Sequence, residues 1–294
     1  MEVDGVFSGG GIKGLTFIGA FEVLEEKGIR FKRVAGTSAG SLMAALIAAG
    51  YTPKEIYQEI AHIDMTQFLD RRTTFIPIPL LKWLPIYWRL GLFKGQAFEK
   101  WIDSLLSKKG VRTFSDLPPG KLKVIVSDLT NGKIVVIPDD LHNYDIPFES
   151  FSVATAVRMS CSIPYFFEPV KLKTQKGNVI IVDGGVLSNF PMWLYDSENG
   201  TKKRPVIGLK LSRSYADTPP KKINNAIQLF EALFTTMLDA HDARYISKKH
   251  VKDIIFFPME GILATEFNLN EEKKEALLKL GREKTNEFLK KWSY

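Results

Sequence analysis

Residues 3–50 read VDGVFSGGGIKGLTFIGAFEVLEEKGIRFKRVAGTSAGSLMAALIAAG, and this stretch decides the fold. Two short apolar runs, Val3–Phe7 and Phe31–Ala35, predict strands, and a glycine cluster follows each of them directly. The apolar spacing after these clusters predicts two helices, Leu15–Lys27 and Ser41–Ala49, each closed by a glycine. A strand followed by a helix, twice in succession, is typical of βαβ units built on a parallel sheet.

The remainder of the chain continues this alternation of strands and helices. Further strands are predicted at Leu122–Ser127, Lys133–Ile137, Val179–Val182, Val206–Leu211 and Ile254–Phe257. Further helices are predicted at Pro53–Ile63, Ala97–Ser107, Ile223–Tyr245 and Glu271–Lys290. Most of the strand runs lack polar alternation, which favours central parallel strands covered on both faces. No linker or internal repeat divides residues 1–294, so we predict one α/β domain, a three-layer α/β/α arrangement around a mostly parallel sheet.

The composition excludes several classes of protein. The chain has 294 residues, of which 45% are hydrophobic and 25% charged, so it is neither disordered nor of low complexity. A single cysteine, Cys161, excludes an intramolecular disulfide and cysteine-rich metal sites. The N-terminal sequence lacks the features of a signal peptide, which predicts a cytoplasmic protein. The net charge of +7 favours anionic partners, but no nucleic-acid-binding motif accompanies it.

The segment Phe75–Phe93 interrupts the alternation. It is strongly apolar and aromatic, but its prolines and basic residues argue against a membrane-spanning helix. No acidic residue lies between Asp70 and Glu99, and the basic residues there accompany amphipathic aromatics. We therefore expect an insertion over residues 66–98 that forms a lid, a packed loop or a contact with a membrane surface. In the last case the contacting residues would be Trp83, Tyr87 and Trp88.

A candidate nucleophile lies in Gly36-Thr37-Ser38-Ala39-Gly40, which matches G-x-S-x-G between an apolar strand and an apolar helix. Glycines on both sides, Gly36 and Gly40, permit the sharp turn that presents a serine at the end of a strand. The partial positive charge of the following helix N-terminus favours a developing oxyanion. The same residues also fit an ordinary tight turn in which Ser38 caps the helix.

The glycine loop Gly9-Gly10-Gly11-Ile12-Lys13-Gly14 precedes the first helix. Successive backbone amides in such a loop can converge on one anion, which predicts an oxyanion hole beside Ser38. The loop also fits G-x-G-x-x-G of dinucleotide-binding proteins, but the acidic residue required after the second strand is replaced by Val34-Ala35-Gly36. A phosphate-binding Walker loop is excluded because Lys13 is followed by Gly14.

A nucleophilic serine needs a general base. Asp183, at the end of the apolar run Ile180-Ile181-Val182 and before Gly184 and Gly185, is the favoured candidate, because burial makes a carboxylate more basic. Asp128 ends a similar run, but a turn with Asn131 explains it as well. The four histidines are His62, His142, His241 and His250; a Ser-acid-His triad would use His241 or His250.

With these motifs, the chain resembles the patatin-like phospholipases, lipid acyl hydrolases with a Ser–Asp dyad. The resemblance covers about residues 3–191 and rests on four ordered motifs: SGGGIKG, GTSAG, AVRMSCSIP from Ala156 to Pro164, and DGG followed by Asn189 and Pro191. It implies that Ser38 is the nucleophile, that Asp183 is the base, and that the amides around Gly10, Gly11 and Ile12 form the oxyanion hole. Arg158, Pro164, Gly184 and Gly185 would line the site.

The resemblance further implies hydrolysis through an acyl-enzyme on Ser38, without a metal or another cofactor. The substrate would be a phospholipid or another acyl-ester lipid, drawn from an anionic membrane surface. A Ser-His-Asp esterase or acyltransferase and a catalytically silent lipid-binding module are the alternatives. In the C-terminal region, residues 223–294, the apolar residues of Ile223–Tyr245 favour core packing, with a homo-oligomer interface as the other interpretation.

Overall fold

The computed structural model describes residues 1–60, 63–70, 84–175, 177–196, 204–213, 223–224, 226–246, 251–259 and 270–293. Its strands are β1 (Glu2–Phe7), β2 (Arg30–Thr37), β3 (Gly91–Phe93), β4 (Leu122–Asp128), β5 (Lys133–Ile137), β6 (Tyr165–Phe167), β7 (Val170–Thr174), β8 (Gly177–Asp183), β9 (Val206–Arg213) and β10 (Ile254–Met259). Its α-helices are α1 (Thr16–Glu26), α2 (Ala39–Ala48), α3 (Pro53–Ile60), α4 (Leu84–Arg89), α5 (Gln96–Lys108), α6 (Val153–Ser160), α7 (Ala226–Tyr245) and α8 (Glu271–Leu289).

The central sheet is mostly parallel and is flanked by helices, as predicted. Its strand order is β10-β9-β1-β2-β4-β8-β7, with β5 also paired to β4. The ladders from β10 to β4 are parallel. However, β5 and β8 run antiparallel to β4, so the prediction of parallel strands was wrong for these two. The reason for β5 is local, because only residues 129–132 separate it from β4, too few for the crossover that a parallel neighbour requires.

The ends of β2 and β8 meet at the same level of the sheet, although β4 lies between them. Thr37 faces Ile125 in the β2–β4 ladder, and Asp183 faces Val126 in the β4–β8 ladder. Ser38 follows Thr37, so Ser38 and Asp183 stand on either side of Val126. Because β2 is parallel to β4 and β8 is antiparallel to it, β2 and β8 reach this level from opposite directions, and both end there.

The C-terminal helix α8 packs tightly against α1. A Cβ at Gly19 would overlap the Leu278 carbonyl, and one at Gly281 would overlap the Thr16 carbonyl, so the two backbones approach as closely as glycine permits. The Arg282 guanidinium also contacts the Glu22 carboxylate at 2.6 Å. The amphipathic helix predicted at the C-terminus therefore buries one face on the βαβ unit and leaves the other exposed.

Three helices differ from the sequence prediction, among them α4, which was not predicted within the segment Phe75–Phe93. The prediction omitted α6, an eight-residue helix that begins after Ser152, whose Oγ accepts a hydrogen bond from the Thr155 amide at 3.2 Å. On α7, the core-packing interpretation is incomplete, because Leu229 and Leu233 are 48% and 62% exposed. Within the described parts of the chain, no helix combines the length and the apolar character needed to cross a bilayer.

Candidate active site

Ser38 stands between β2 and α2 in a strained backbone conformation. Its φ of 52° and ψ of −127° lie in a region that residues with a side chain rarely adopt. Ser38 occupies the N-cap position of α2, yet its side chain makes no capping hydrogen bond. The capping interpretation of this serine is therefore wrong, and the side chain, in a residue that is 8% exposed, is not committed to the helix.

The glycines of the elbow are required by close backbone contacts. A Cβ at Gly36 would overlap the Gly40 carbonyl group, and a Cβ at Gly40 would overlap the carbonyl oxygens of Phe7 and Ser8. Both glycines therefore let α2 begin directly against the ends of β1 and β2. This packing fixes Ser38 at the edge of the sheet where the glycine loop also begins.

The glycine loop lies beside Ser38. A Cβ built on Gly9 would stand 3.2 Å from the Ser38 Cβ, and a Cβ on Gly14 would stand 3.3 Å from the Ala39 Cβ. The loop continues into a 3₁₀ helix over Gly11–Leu15, and Gly11 has a φ of 61°, which favours glycine. The adjacency of loop and serine is as the sequence predicts.

The backbone geometry narrows the set of amides that could bind an oxyanion. In a 3₁₀ helix the backbone amide of each residue donates to the carbonyl three residues earlier. The amides of Lys13 and Gly14 therefore form the hydrogen bonds of the first turns. The Gly9 amide donates to the Asn189 carbonyl at 3.1 Å. This corrects the predicted oxyanion hole, because the amides of Gly9, Lys13 and Gly14 already have hydrogen-bond acceptors. The amides of Gly10–Ile12 precede the first intrahelical bond and are the candidates that remain.

Asp183 is buried next to Ser38. Its Oδ1 accepts a hydrogen bond from the Gly185 amide at 2.7 Å, while its Oδ2 is buried without a hydrogen-bond partner among the described residues. Burial raises the pKa of Asp183 to about 7, and the Ser38 hydroxyl and the Gly185 amide partly oppose this rise. A Cβ at Gly184 would overlap the Ile125 carbonyl, so glycine lets the chain turn closely over β4.

Asp128, the alternative base, is occupied in a turn. Its Oδ1 accepts from the Asn131 amide at 2.9 Å, and its Oδ2 accepts from Asn131 Nδ2 and from the Tyr144 hydroxyl at 2.7 and 2.8 Å. The exposed His142 ring lies 2.7 Å from the Asp139 carbonyl. The side chains of the other three histidines are outside the described residues. Within the described residues, no cluster of His, Cys, Asp and Glu could hold a metal ion.

Arg158 is buried, with 2% of its surface exposed. Its guanidinium donates to the carbonyls of Gly95, Lys94 and Glu168 at 2.7 to 2.9 Å and also to the Ser162 hydroxyl. These hydrogen bonds hold Arg158 beside the turn that follows α6, and its predicted role in lining the site stays a prediction. Pro164 is partly buried and precedes β6.

The structure describes two of the three predicted membrane-contact residues. Trp83 lies outside the described residues, whereas Tyr87 and Trp88 on α4 are 76% and 72% exposed, with ring centroids 5.0 Å apart. Leu90 and Tyr165, which no sequence motif indicated, are 41% and 54% exposed and adopt positive φ angles. The pairing of Gly91 with Tyr165 brings these two residues to the same end of the β3–β6 ribbon.

A buried polar network supports the glycine loop. Asn189, whose carbonyl receives the Gly9 amide, donates from Nδ2 to Asp242 at 2.9 Å. Asp242 on α7 also forms an ion pair with Lys210 on β9, and both residues are more than nine-tenths buried. A Cβ at Gly9 would overlap the Asn189 side-chain oxygen. The motif residue Asn189 thus ties the loop to α7, a role that no local sequence pattern indicates.

Comparison with known proteins identifies relatives of the chain. The family model described as patatin-like phospholipase matches residues 5–194. An uncharacterized protein of Bacillus subtilis, YqhO, is 57% identical over 294 residues, covering 100% of both chains. A protein of Invertebrate iridescent virus 6, named probable lipid hydrolase 463L, is 26% identical over 208 residues, covering 67% of this chain and 66% of that one.

A solved structure has the same architecture. The crystal structure of VipD from Legionella pneumophila superposes with a TM-score of 0.59 at 18% sequence identity. The match covers 99% of this chain and 67% of VipD. At this level of identity the likeness concerns the fold alone.

Proposed function

Because the chain belongs to the patatin-like phospholipase family, we propose that it is a lipid acyl hydrolase in which Ser38 is the nucleophile and Asp183 the general base. The general assignment as a lipid acyl hydrolase is supported by the family and by the lipid-hydrolase relative. One observation carries the finer assignment: the strained, uncapped Ser38 lies next to the buried Asp183, whose Oδ2 has no hydrogen-bond partner among the described residues.

The first half of the reaction forms an acyl-enzyme. Ser38 Oγ attacks the carbonyl carbon of the ester while its proton passes to Asp183 Oδ2. The negative charge on the former carbonyl oxygen is stabilised by the backbone amides of Gly10–Ile12. When the tetrahedral intermediate collapses, the bond to the alcohol breaks, and the leaving oxygen takes the proton from Asp183. A lysolipid or another alcohol departs, and the acyl group remains on Ser38.

The second half releases the fatty acid. Asp183, ionised again, removes a proton from a water molecule as that water attacks the acyl carbonyl, and the same amides stabilise the oxyanion. Collapse of this intermediate returns the proton to Ser38 Oγ and liberates the fatty acid. An aspartate whose pKa is about 7 suits both steps, because near neutral pH it readily accepts and returns a proton.

The surface around α4 supports action at a membrane. Tyr87 and Trp88 are amphipathic aromatics with most of their surface exposed, and Arg89 beside them is also exposed. The chain carries a net charge of +7, which favours an anionic bilayer. We assign the contact with lipid to four exposed residues of this surface, Tyr87, Trp88, Leu90 and Tyr165.

Incubation with phosphatidylglycerol vesicles should release free fatty acid and lysophospholipid in equal amounts. This stoichiometry follows from cleavage of one acyl ester per turnover and is measured by mass spectrometry of the extracted lipids. Ser38→Ala is the matched control and should release neither product. Tight vesicle binding by the wild type without any release would instead identify a catalytically silent lipid-binding module.

Replacing Tyr87 and Trp88 with serine should weaken binding to anionic vesicles at least tenfold. The change removes two large side chains that would enter the interface, and about 1.4 kcal/mol of lost burial already corresponds to a factor of ten. Partitioning is measured by sedimentation in the Ser38→Ala background, so that no lipid is consumed. Phe148→Ser, at a residue that is 48% exposed elsewhere, is the control. Unchanged partitioning of the double variant would contradict the assignment.

A further inference from the structure

The two proposed catalytic residues are not joined by the sheet itself. Ser38 follows β2 and Asp183 ends β8, and β4 separates these strands. The β2–β4 and β4–β8 ladders therefore place the ends of β2 and β8 relative to β4 but do not connect Ser38 with Asp183. A misplacement of about 1 Å between reacting groups can lower a rate about 100-fold. The distance between the Ser38 hydroxyl and the Asp183 carboxylate therefore depends on another element.

Ser160, at the end of α6, holds the backbone of Ser38. Its Oγ accepts a hydrogen bond from the Ser38 amide at 2.8 Å and donates one to the Ile125 carbonyl at 2.6 Å. Ser160 has no exposed surface, so water does not compete for either bond. Because the amide belongs to the strained residue itself, this contact fixes the conformation that presents the Ser38 hydroxyl.

Two residues later, the same turn holds Asp183. The Ser162 carbonyl accepts a hydrogen bond from the Asp183 amide at 2.9 Å. Between them, Cys161 is buried beside the hydroxyls of Ser38 and Ser41, and burial raises its thiol pKa to about 12, so the thiol stays neutral. The turn Ser160–Ser162 thus contacts both proposed catalytic residues across β4.

Arg158 anchors this turn from behind. Its guanidinium binds the Ser162 hydroxyl together with the carbonyls of Lys94, Gly95 and Glu168. A Cβ at Gly95 would overlap the guanidinium, so Arg158 is packed directly against the start of α5. The residues that follow β3 and β6, at one end of this parallel ribbon, therefore brace the turn, and its position is not adjustable without breaking several buried hydrogen bonds.

From these contacts we infer that Ser160 is a positioning residue that sets the distance and orientation of the Ser38 hydroxyl relative to Asp183. The inference rests on the proposed function of Ser38 and Asp183. Ser160 touches neither substrate nor the transferred proton; it acts through the Ser38 amide. Removal of its hydroxyl takes away the acceptor of the buried Ser38 amide and a donor to the Ile125 carbonyl, and the strained turn relaxes away from Asp183.

The test is Ser160→Ala, assayed with the soluble ester p-nitrophenyl butyrate. We expect kcat to fall about 100-fold with KM changed less than threefold, because the defect lies in alignment rather than in binding. The pH midpoint of the reaction should also rise, since the Ser38 hydroxyl is one of the groups that lower the pKa of Asp183. Ser152→Ala, which removes the cap at the other end of α6, is the control and should leave both kcat and the midpoint unchanged.

Ser160→Thr, which retains the hydroxyl, should recover at least tenfold of the lost kcat. If the alanine variant fails to fold, Ser160→Cys, similar in volume but a weak hydrogen-bond acceptor, should show the same loss of kcat and the same rise of the midpoint. A kcat within threefold of wild type in the folded alanine or cysteine variant would overturn the positioning role alone. Absence of turnover in the wild type, by contrast, would overturn the proposed function together with this inference.

Discussion

Replacing Ser38 with alanine should abolish covalent labelling by a fluorophosphonate probe and lower ester hydrolysis about 10⁴-fold or more. The probe reacts with an activated serine hydroxyl, and in the proposed mechanism that hydroxyl belongs to Ser38, which lies beside the buried Asp183 and the glycine loop. The residual rate would come from binding and from the oxyanion hole. Labelling is measured by intact-protein mass spectrometry, and hydrolysis by release of p-nitrophenol.

Two further variants separate chemistry from folding. Ser41→Ala removes another hydroxyl of the same elbow, one that donates to the Ser38 carbonyl at 2.6 Å, and should retain labelling. Ser38→Gly should be as inactive as Ser38→Ala but more stable than it, because glycine adopts a positive φ without strain. Undiminished labelling of Ser38→Ala would show that the nucleophile lies elsewhere in the chain.

The elbow and the glycine loop could be predicted from the sequence because their requirements are local. Gly36 and Gly40 are needed within five residues of chain, and the contacts that a Cβ would make there explain the pattern directly. The alternation of strand and helix over residues 3–50 likewise follows from apolar spacing and glycine stops. For the same reason the predicted boundaries of β1, β2, α1 and α2 agree with the structure within two residues.

The direction of β8 could not be predicted, because it depends on contacts distant in sequence. An apolar run such as Val179–Val182 is compatible with either direction when both faces are covered. The candidate Asp183 was nevertheless found beside Ser38, since a strand that enters from the opposite edge also ends level with β2. Asp183 could thus be identified from the sequence, although β8 is not the parallel strand that was predicted.

The hydrogen bonds that support the site also could not be predicted from the sequence. Ser160 and Ser162 lie in a motif that the resemblance singles out, but an isolated serine in a helix carries no signal of its partner. The hydrogen bond between Ser160 and the Ser38 amide spans 122 residues of chain, and the bond between Ser162 and the Asp183 amide joins the end of α6 to the end of β8. Asp242, on α7, is joined to Asn189 by a polar contact, whereas the side-chain pattern of that helix predicted only apolar packing.

Asp183→Asn should lower ester hydrolysis about 10⁴-fold while leaving the protein folded. Asparagine has nearly the same shape but cannot accept the Ser38 proton. In the wild type, activity should rise with pH and reach a plateau above about 7, where Asp183 is ionised. The remaining activity of the variant should lack this dependence, as measured by kcat/KM between pH 5 and 9.

Separate replacement of each histidine should preserve both the rate of ester hydrolysis and its pH profile. Loss of hydrolysis in one of these variants would support a Ser-His-Asp enzyme.

The stability of the same variant provides an independent check on the site. Burial raises the pKa of Asp183 in the folded protein above its value in the unfolded chain, so the folded state favours the protonated carboxyl. The resulting stabilisation is complete only when the pH lies below the pKa of Asp183 in the unfolded chain. The stabilisation is lost as pH rises through about 7, since a charged carboxylate must then remain buried. Asp183→Asn carries no charge, so at pH 8 it should unfold at a higher urea concentration than the wild type. Asp128→Asn, which disturbs a satisfied turn, should instead be less stable and keep the pH profile. A variant that gains stability while losing activity assigns the loss to chemistry, because a damaged fold would lower both.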